Sequence, residues 1–176
     1  MTASTSPIDE SSNRGGGFFR RNRRLLAVVG VAVVAVVAWL ALGYFEIQKS
    51  FIDDKVNEAM PAGGAAAAAT GTFVSRSHTT TGTASVIDTG GAKVIRLNDL
   101  NTENGPDVRV YLAAGVDANA DEGTLNNDFV DLGALKGNIG SQNYAVPTGT
   151  DVAKYRTVVL WCRRFSVAFA AADLTP

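Results

Sequence analysis

The sequence predicts an all-β domain, an antiparallel β-sandwich of about eight short strands, preceded by a single transmembrane α-helix. Three observations lead there. A run of 21 residues without charge occupies Leu25–Phe45. From Thr70 onward, short β-prone runs alternate with turn residues, and no amphipathic helix interrupts them. The stretch T-V-V-L-W-C-R-R-F-S-V-A-F-A-A, Thr157 to Ala171, is apolar on both alternating faces up to its arginines, as a central strand covered on two sides is.

Residues 1–24 are rich in Ser, Thr and Gly and end in basic residues, a composition that cannot bury enough to order itself and so predicts a disordered cytoplasmic tail. As a helix rising about 1.5 Å per residue, the apolar run matches a hydrocarbon core of roughly 30 Å. Arg14, Arg20, Arg21, Arg23 and Arg24 precede it, so the positive-inside rule holds the N-terminus in the cytoplasm and places the rest outside the plasma membrane. Trp39, Tyr44 and Phe45 stand toward the outer end, where interfacial aromatics sit. A cleaved signal peptide is the rival reading, with Ala41–Gly43 as its cleavage site, but the run exceeds the roughly 7–15 residues of a signal core. Asn22 and Arg23 follow the Arg20-Arg21 pair where a twin-arginine signal turns apolar.

Residues 46–69 form a juxtamembrane segment and linker. Ile47, Phe51, Ile52, Val56 and Met60 fall at mostly helical intervals, which suggests an amphipathic stretch that extends the anchor, lies on the membrane, or packs on the domain. Pro61-Ala-Gly-Gly and the alanines ending at Ala69 then make a low-complexity linker, leaving 70–176 as the folded domain.

Within it, strands are predicted at Gly71–Ser75 and Thr79–Asp88, with Thr89-Gly90-Gly91 turning into Lys93–Leu97. Asn104-Gly105-Pro106-Asp107 turns into Val108–Ala113. A polar loop, 115–127, leads to Phe129–Leu132, and Gln142–Val146 follows after Gly137 and Gly140. Asp151–Tyr155 makes one helical turn capped by Thr150 or Asp151. In the last β-prone stretch Cys162 is the final core position before Arg163 and Arg164, and Phe165, Val167 and Phe169 share a face.

Composition narrows the function. The chain is 19% charged and 46% hydrophobic over 176 residues, which is globular, with room for one domain and its appendages. After the apolar run 11 Lys or Arg face 15 Asp or Glu, a net −4 with no basic patch, so nucleic acid is excluded as a partner. One cysteine excludes an internal disulfide. G-x-S-x-G, H-E-x-x-H and phosphate-cradling glycine loops are missing, so no classical catalytic motif marks an enzyme.

Gly71 with Phe73, His78 followed by Gly82, the Gly105-Pro106-Asp107 turn, Lys154, and Trp161-Cys162 followed by Phe165, Val167 and Phe169 together resemble the DM-thirteen domain family. Leu135-Lys136-Gly137-Asn138-Ile139-Gly140 with Gln142-Asn143-Tyr144 is similar to its membrane-anchored bacterial branch, as is F-I-D-D-K-V-N-E-A-M-P at 51–61. Ala170 stands where the family is expected to carry Gly. The resemblance implies an all-β extracytoplasmic module of electron transfer that works through its cysteine, as a bare thiol or as ligand to a prosthetic group such as haem.

Two readings of Cys162 stand side by side. It is a small buried hydrophobe, or it is the redox thiol or ligand, with Trp161 shaping its pocket and Arg164 supplying charge about 7 Å away on the same strand face. His78, the single imidazole, is chemically suited to be a second haem or metal ligand opposite Cys162. Without C-x-x-C-H any haem is non-covalent. Asp117, Asn119, Asp121 and Asp128 have partial calcium-loop spacing, although Glu122 holds the place of the essential Gly, and a solvated acidic loop is the alternative. The expected function is that of a membrane-anchored module accessory to electron transfer with an unidentified protein partner. The alternative is a non-catalytic cell-envelope interaction module in which Cys162 is only core.

Overall fold

A computed structural model of the protein describes residues 22–40, 53–63 and 66–176. The described chain holds one helix, α1 (Arg23–Trp39), and nine strands: β1 (Ala69–Thr72), β2 (Val74–Ser75), β3 (Thr81–Asp88), β4 (Lys93–Asn101), β5 (Val108–Ala113), β6 (Phe129–Ala134), β7 (Ile139–Ala145), β8 (Thr157–Cys162) and β9 (Val167–Asp173). The described residues divide into two units, 22–40 and 53–176.

The expected transmembrane helix is corrected here. Helix α1 has 17 residues, begins with Arg23 and Arg24, and at 1.5 Å per residue spans about 26 Å, short of a hydrocarbon core of roughly 30 Å. Among the described residues no helix is long and apolar enough to cross a membrane. The single-pass anchor and the plasma-membrane location that rested on it are therefore not supported. Residues 1–21 of the predicted tail and residues 41–45 lie outside the described residues, as do Ile47, Phe51 and Ile52, while Arg23 and Arg24 of that tail open helix α1.

The β-sandwich is present. Strands β1-β3-β4-β7 make one antiparallel sheet and β2-β9-β8-β5-β6 the other. The first predicted strand splits in two because it changes sheets: β1 pairs with β3 and β2 with β9, and the buried ring of Phe73 sits at the crossing. All six residues of β8 are buried. Val158, Leu160 and Cys162 face the space between the sheets with Ile95, Leu97, Val110 and Phe169. Val159 and Trp161 face outward into a second apolar cluster with Tyr111, Ala113, Val116 and Ala118, roofed by the 114–128 loop. Burying side chains of this size contributes roughly 1.5–3 kcal/mol each, which is why the central strand has no polar face.

The expected face of Phe165, Val167 and Phe169 does not form. Residues 163–166 are a tight exposed turn, and Phe165 at its tip is 64% exposed. In β9 the register moves from Leu160↔Ala170 to Trp161↔Ala168, so Phe169 is the extra residue of a bulge and both it and Ala170 enter the inner core. The turn at Asp151 forms as predicted, its carboxylate accepting from the amides of Ala153 (2.9 Å) and Lys154 (3.3 Å).

Of the readings offered for 46–60, helical spacing fails in the described part and packing on the domain holds. Lys55 bridges Ile139 in parallel; the amides of Val56 and Glu58 donate to Ile139 O (2.9 Å) and Ser141 O (2.8 Å), and Ile139 N donates to Asp54 O (3.2 Å). Residues 53–60 thus act as an edge segment that covers β7. Gly137 and Gly140 permit the approach: a Cβ on either would collide with the carbonyl of Asp54 or of Val56. The buried guanidinium of Arg96 donates to the carbonyls of Glu58 and Ala59 (both 3.1 Å), and the Glu58 carboxylate accepts from Lys136 Nζ (2.7 Å) and Asn143 N (2.7 Å).

Two outcomes follow from this packing. Because the edge segment satisfies the exposed edge of β7, a fragment of residues 51–176 should melt at least about 4 °C above one of residues 70–176; equal midpoints would show that the segment adds nothing. Tyr144 is buried beside Gln142 (2.7 Å) and burial pushes its phenol up to about 12. Its contribution is complete below the unfolded pKa of about 10 and is lost as pH rises toward 12. A tyrosinate absorbance titration should show a phenol titrating at about 12 that Tyr144→Phe removes.

Candidate functional site

Of the residues that carry the family resemblance, the 105–107 turn and Cys162 lie at one end of the sandwich, whereas Gly71, packed on the Asp173 carbonyl, and Lys154, paired with Asp128, lie toward the other. Strand β8 ends at the former with Cys162, which is fully buried and faces Val108 and Val167 across its two ladders. The turn ahead of β5 is pinned to the turn after β8, since Arg163 N donates to Asp107 O and Arg163 Nε to Asp107 Oδ2, both at 2.9 Å. Between that turn and the 134–138 connection lies a cavity of about 270 Å³, walled by Asp54, Glu103, Gly105, Val108, Lys136 and Asn138 among others. Val108 therefore lines the cavity and is also the cross-strand neighbour of Cys162.

His78 meets the inner core on the ring of Phe169, with centroids 3.7 Å apart and planes tilted by 38°. Its Nδ1 lies 2.9 Å from Oε2 of Glu103, and the Glu103 carboxyl is held below its ordinary range by that hydrogen bond first and by the amide of Thr79 second. Glu103 was not singled out from the sequence, because its contact with His78 spans 25 positions and no local spacing announces it.

Several expected roles are placed differently. Trp161 points away from Cys162, into the cluster on the far side of β8. Arg164 belongs to the exposed turn, not to the strand face that carries the thiol. The calcium set does not converge: Asp117 Oδ1 accepts from Asn119 N (2.7 Å) and Asn119 Nδ2 (3.1 Å), whereas Asp128 is held by Lys154 Nζ (2.9 Å) and Tyr155 OH (2.7 Å). A cation already organises that loop, as the Arg76 guanidinium donates to the carbonyls of Asp117, Ala118 and Thr124. Among the described residues no three His, Cys, Asp or Glu side chains are placed to hold a metal.

Haem shared by Cys162 and His78 does not fit these residues. Neither lines the 270 Å³ cavity, which falls below the roughly 300–1,000 Å³ of a cofactor-sized pocket. Neither lines the larger clefts at the β3–β4 turn, beside Arg76 or beside Arg156. Cys162 is packed among aliphatic side chains, and His78 spends one nitrogen on Glu103 and a face on Phe169.

Gly105 is what lets Phe169 reach this end: a Cβ there would stand 2.6 Å from Phe169 Cζ and 2.7 Å from Val108 Cγ2. Gly105→Ala should cost about 1–3 kcal/mol by overpacking and should move the His78 ring resonances, since His78 lies on the displaced ring. Unmoved resonances would disprove the coupling.

A family model described as Electron transfer DM13 matches residues 72–174. Neither a curated protein nor a solved structure matches the chain. The matched span takes in β2 to β9 with His78, the 105–107 turn and Cys162, and leaves the edge segment outside. With more than half of its length matched, the chain belongs to the electron transfer DM13 family.

Proposed function

We propose that this domain takes part in electron transfer through Cys162, whose buried thiol gives one electron and one proton to a one-electron-oxidising partner protein, leaving a thiyl radical, and recovers both from a reducing partner. The observation that carries the reading is the family match, which spans the chain's lone cysteine. Two features support it. Cys162 ends the central strand instead of lying in its middle, and its cross-strand neighbour Val108 is one of the residues that line the cavity.

A second reading, a non-catalytic interaction module in which Cys162 is only a core residue, is favoured by the thiol's complete burial. The two part in protein-film voltammetry of the purified protein. Under the electron-transfer reading a reversible wave is present and is absent in both Cys162→Ala and Cys162→Ser. Serine at a fully buried position leaves a hydroxyl to satisfy, at about 1–3 kcal/mol, so the alanine variant serves as the better-folded control. A wave that survives in both variants would leave only the core role.

A further inference from the structure

The edge segment does more than cover β7. Its first residues reach past the strand to the cavity: Asp54 forms part of the wall, and Asp53 Oδ1 accepts from Asn138 Nδ2 (2.9 Å) and Asn104 Nδ2 (3.3 Å) at the rim. The amide of Asp54 in turn donates to Asn138 Oδ1 (2.8 Å). What fastens the segment is almost wholly polar. Three main-chain bonds join it to β7, and its other end is held by the carboxylate of Glu58 between Lys136 Nζ and Asn143 N, and by the carbonyls of Glu58 and Ala59 on Arg96 and Asn143. Val56, half-buried over Gly137, is the main apolar contribution. A strand held by hydrogen bonds and one ion pair detaches at much lower cost than a core strand such as β8. Residues 61–63, 66 and 67, which follow it, make no main-chain hydrogen bond among those described, and the next one is from Ala68 N to Val86 O.

We propose that residues 53–60 are a removable closing strand, with Glu58 as its latch, whose release opens the cavity beside Val108 and so governs access to Cys162. The segment lies outside the family match, so this control is not part of the matched domain itself. It rests on the proposed electron-transfer role only for its purpose; the gating itself is a statement about access to the thiol. Closed, the cavity is lined in part by Val108, the cross-strand neighbour of Cys162. Released, the Asp53–Asp54 wall leaves with the segment, the Gly137–Gly140 stretch loses the backbone packed on it, and the 134–138 connection that faces Val108 is freed on that side.

The test is the rate at which a neutral alkylating agent, iodoacetamide, modifies Cys162 in the folded full-length chain. Glu58→Ala and Lys136→Met should each raise that rate by about tenfold, the loss of one charge-assisted hydrogen-bonded pair, while the urea midpoint falls by less than the same factor in stability would require. A synthetic peptide of residues 51–61 added in excess to Glu58→Ala should return the rate toward that of the unaltered chain. Rates unchanged in both variants would overturn the proposal. So would an increase that follows global unfolding one for one and ignores the peptide, since the thiol would then be reached only by unfolding the whole domain. Loss of the voltammetric wave's dependence on Cys162 would remove the electron-transfer role and leave these rates untouched, so the two failures are distinguishable.

Discussion

The burial of β8 on both faces is the constraint on which the rest of the domain depends. A strand reading T-V-V-L-W-C has no side to offer water, so a layer must lie over each face. The four-stranded sheet supplies one layer. The other is not a sheet but the 114–128 loop, and a loop can cover apolar residues only if its own polar backbone is satisfied. Arg76 does this for three carbonyls, Asp173 for the amide of Ala118, and Thr157 for Val116 O. The acidic loop is thus an organised roof over Tyr111 and Trp161.

The candidate site follows from where that strand stops. Cys162 is the last residue able to pair on both sides before the chain reverses at 163–166. The β9 bulge brings Phe169 into the inner core, and Gly105 leaves it room. His78 rests on that ring at the surface, with Glu103 fixing one of its nitrogens. The thiol and the imidazole are thereby joined to one apolar cluster without sharing a pocket, which is why the arrangement suits a side-chain redox group better than a prosthetic group held between them.

Much of this was legible in the chain's pattern. Period-two alternation gave β5 at its exact bounds, and glycine-bearing turns gave the β3–β4 hairpin. The two-sided apolar character of Thr157–Cys162 gave the central strand. What was not legible depended on partners distant in sequence. Val56 and Met60 have helical spacing, yet the segment is extended because β7, more than 80 residues away, offers it an open edge. The bulge that turns Phe169 inward is a property of three strands in register, not of the motif that contains it. Asp128 has calcium-loop spacing but is taken by Lys154 and Tyr155. The apolar run at Leu25–Phe45 reads as a membrane span by its length, its lack of charge and its flanking arginines and aromatics, yet the described helix starts at two arginines and is shorter than that run.

The central claim is that Cys162 works as a buried side chain and not as a haem ligand paired with His78. The most direct measurement is a visible absorption spectrum, oxidised and reduced, of the full-length protein purified from haem-replete cells. The account predicts no Soret band, in the unaltered chain as in Cys162→Ala. A Soret band that shifts on reduction and disappears in Cys162→Ala would contradict it.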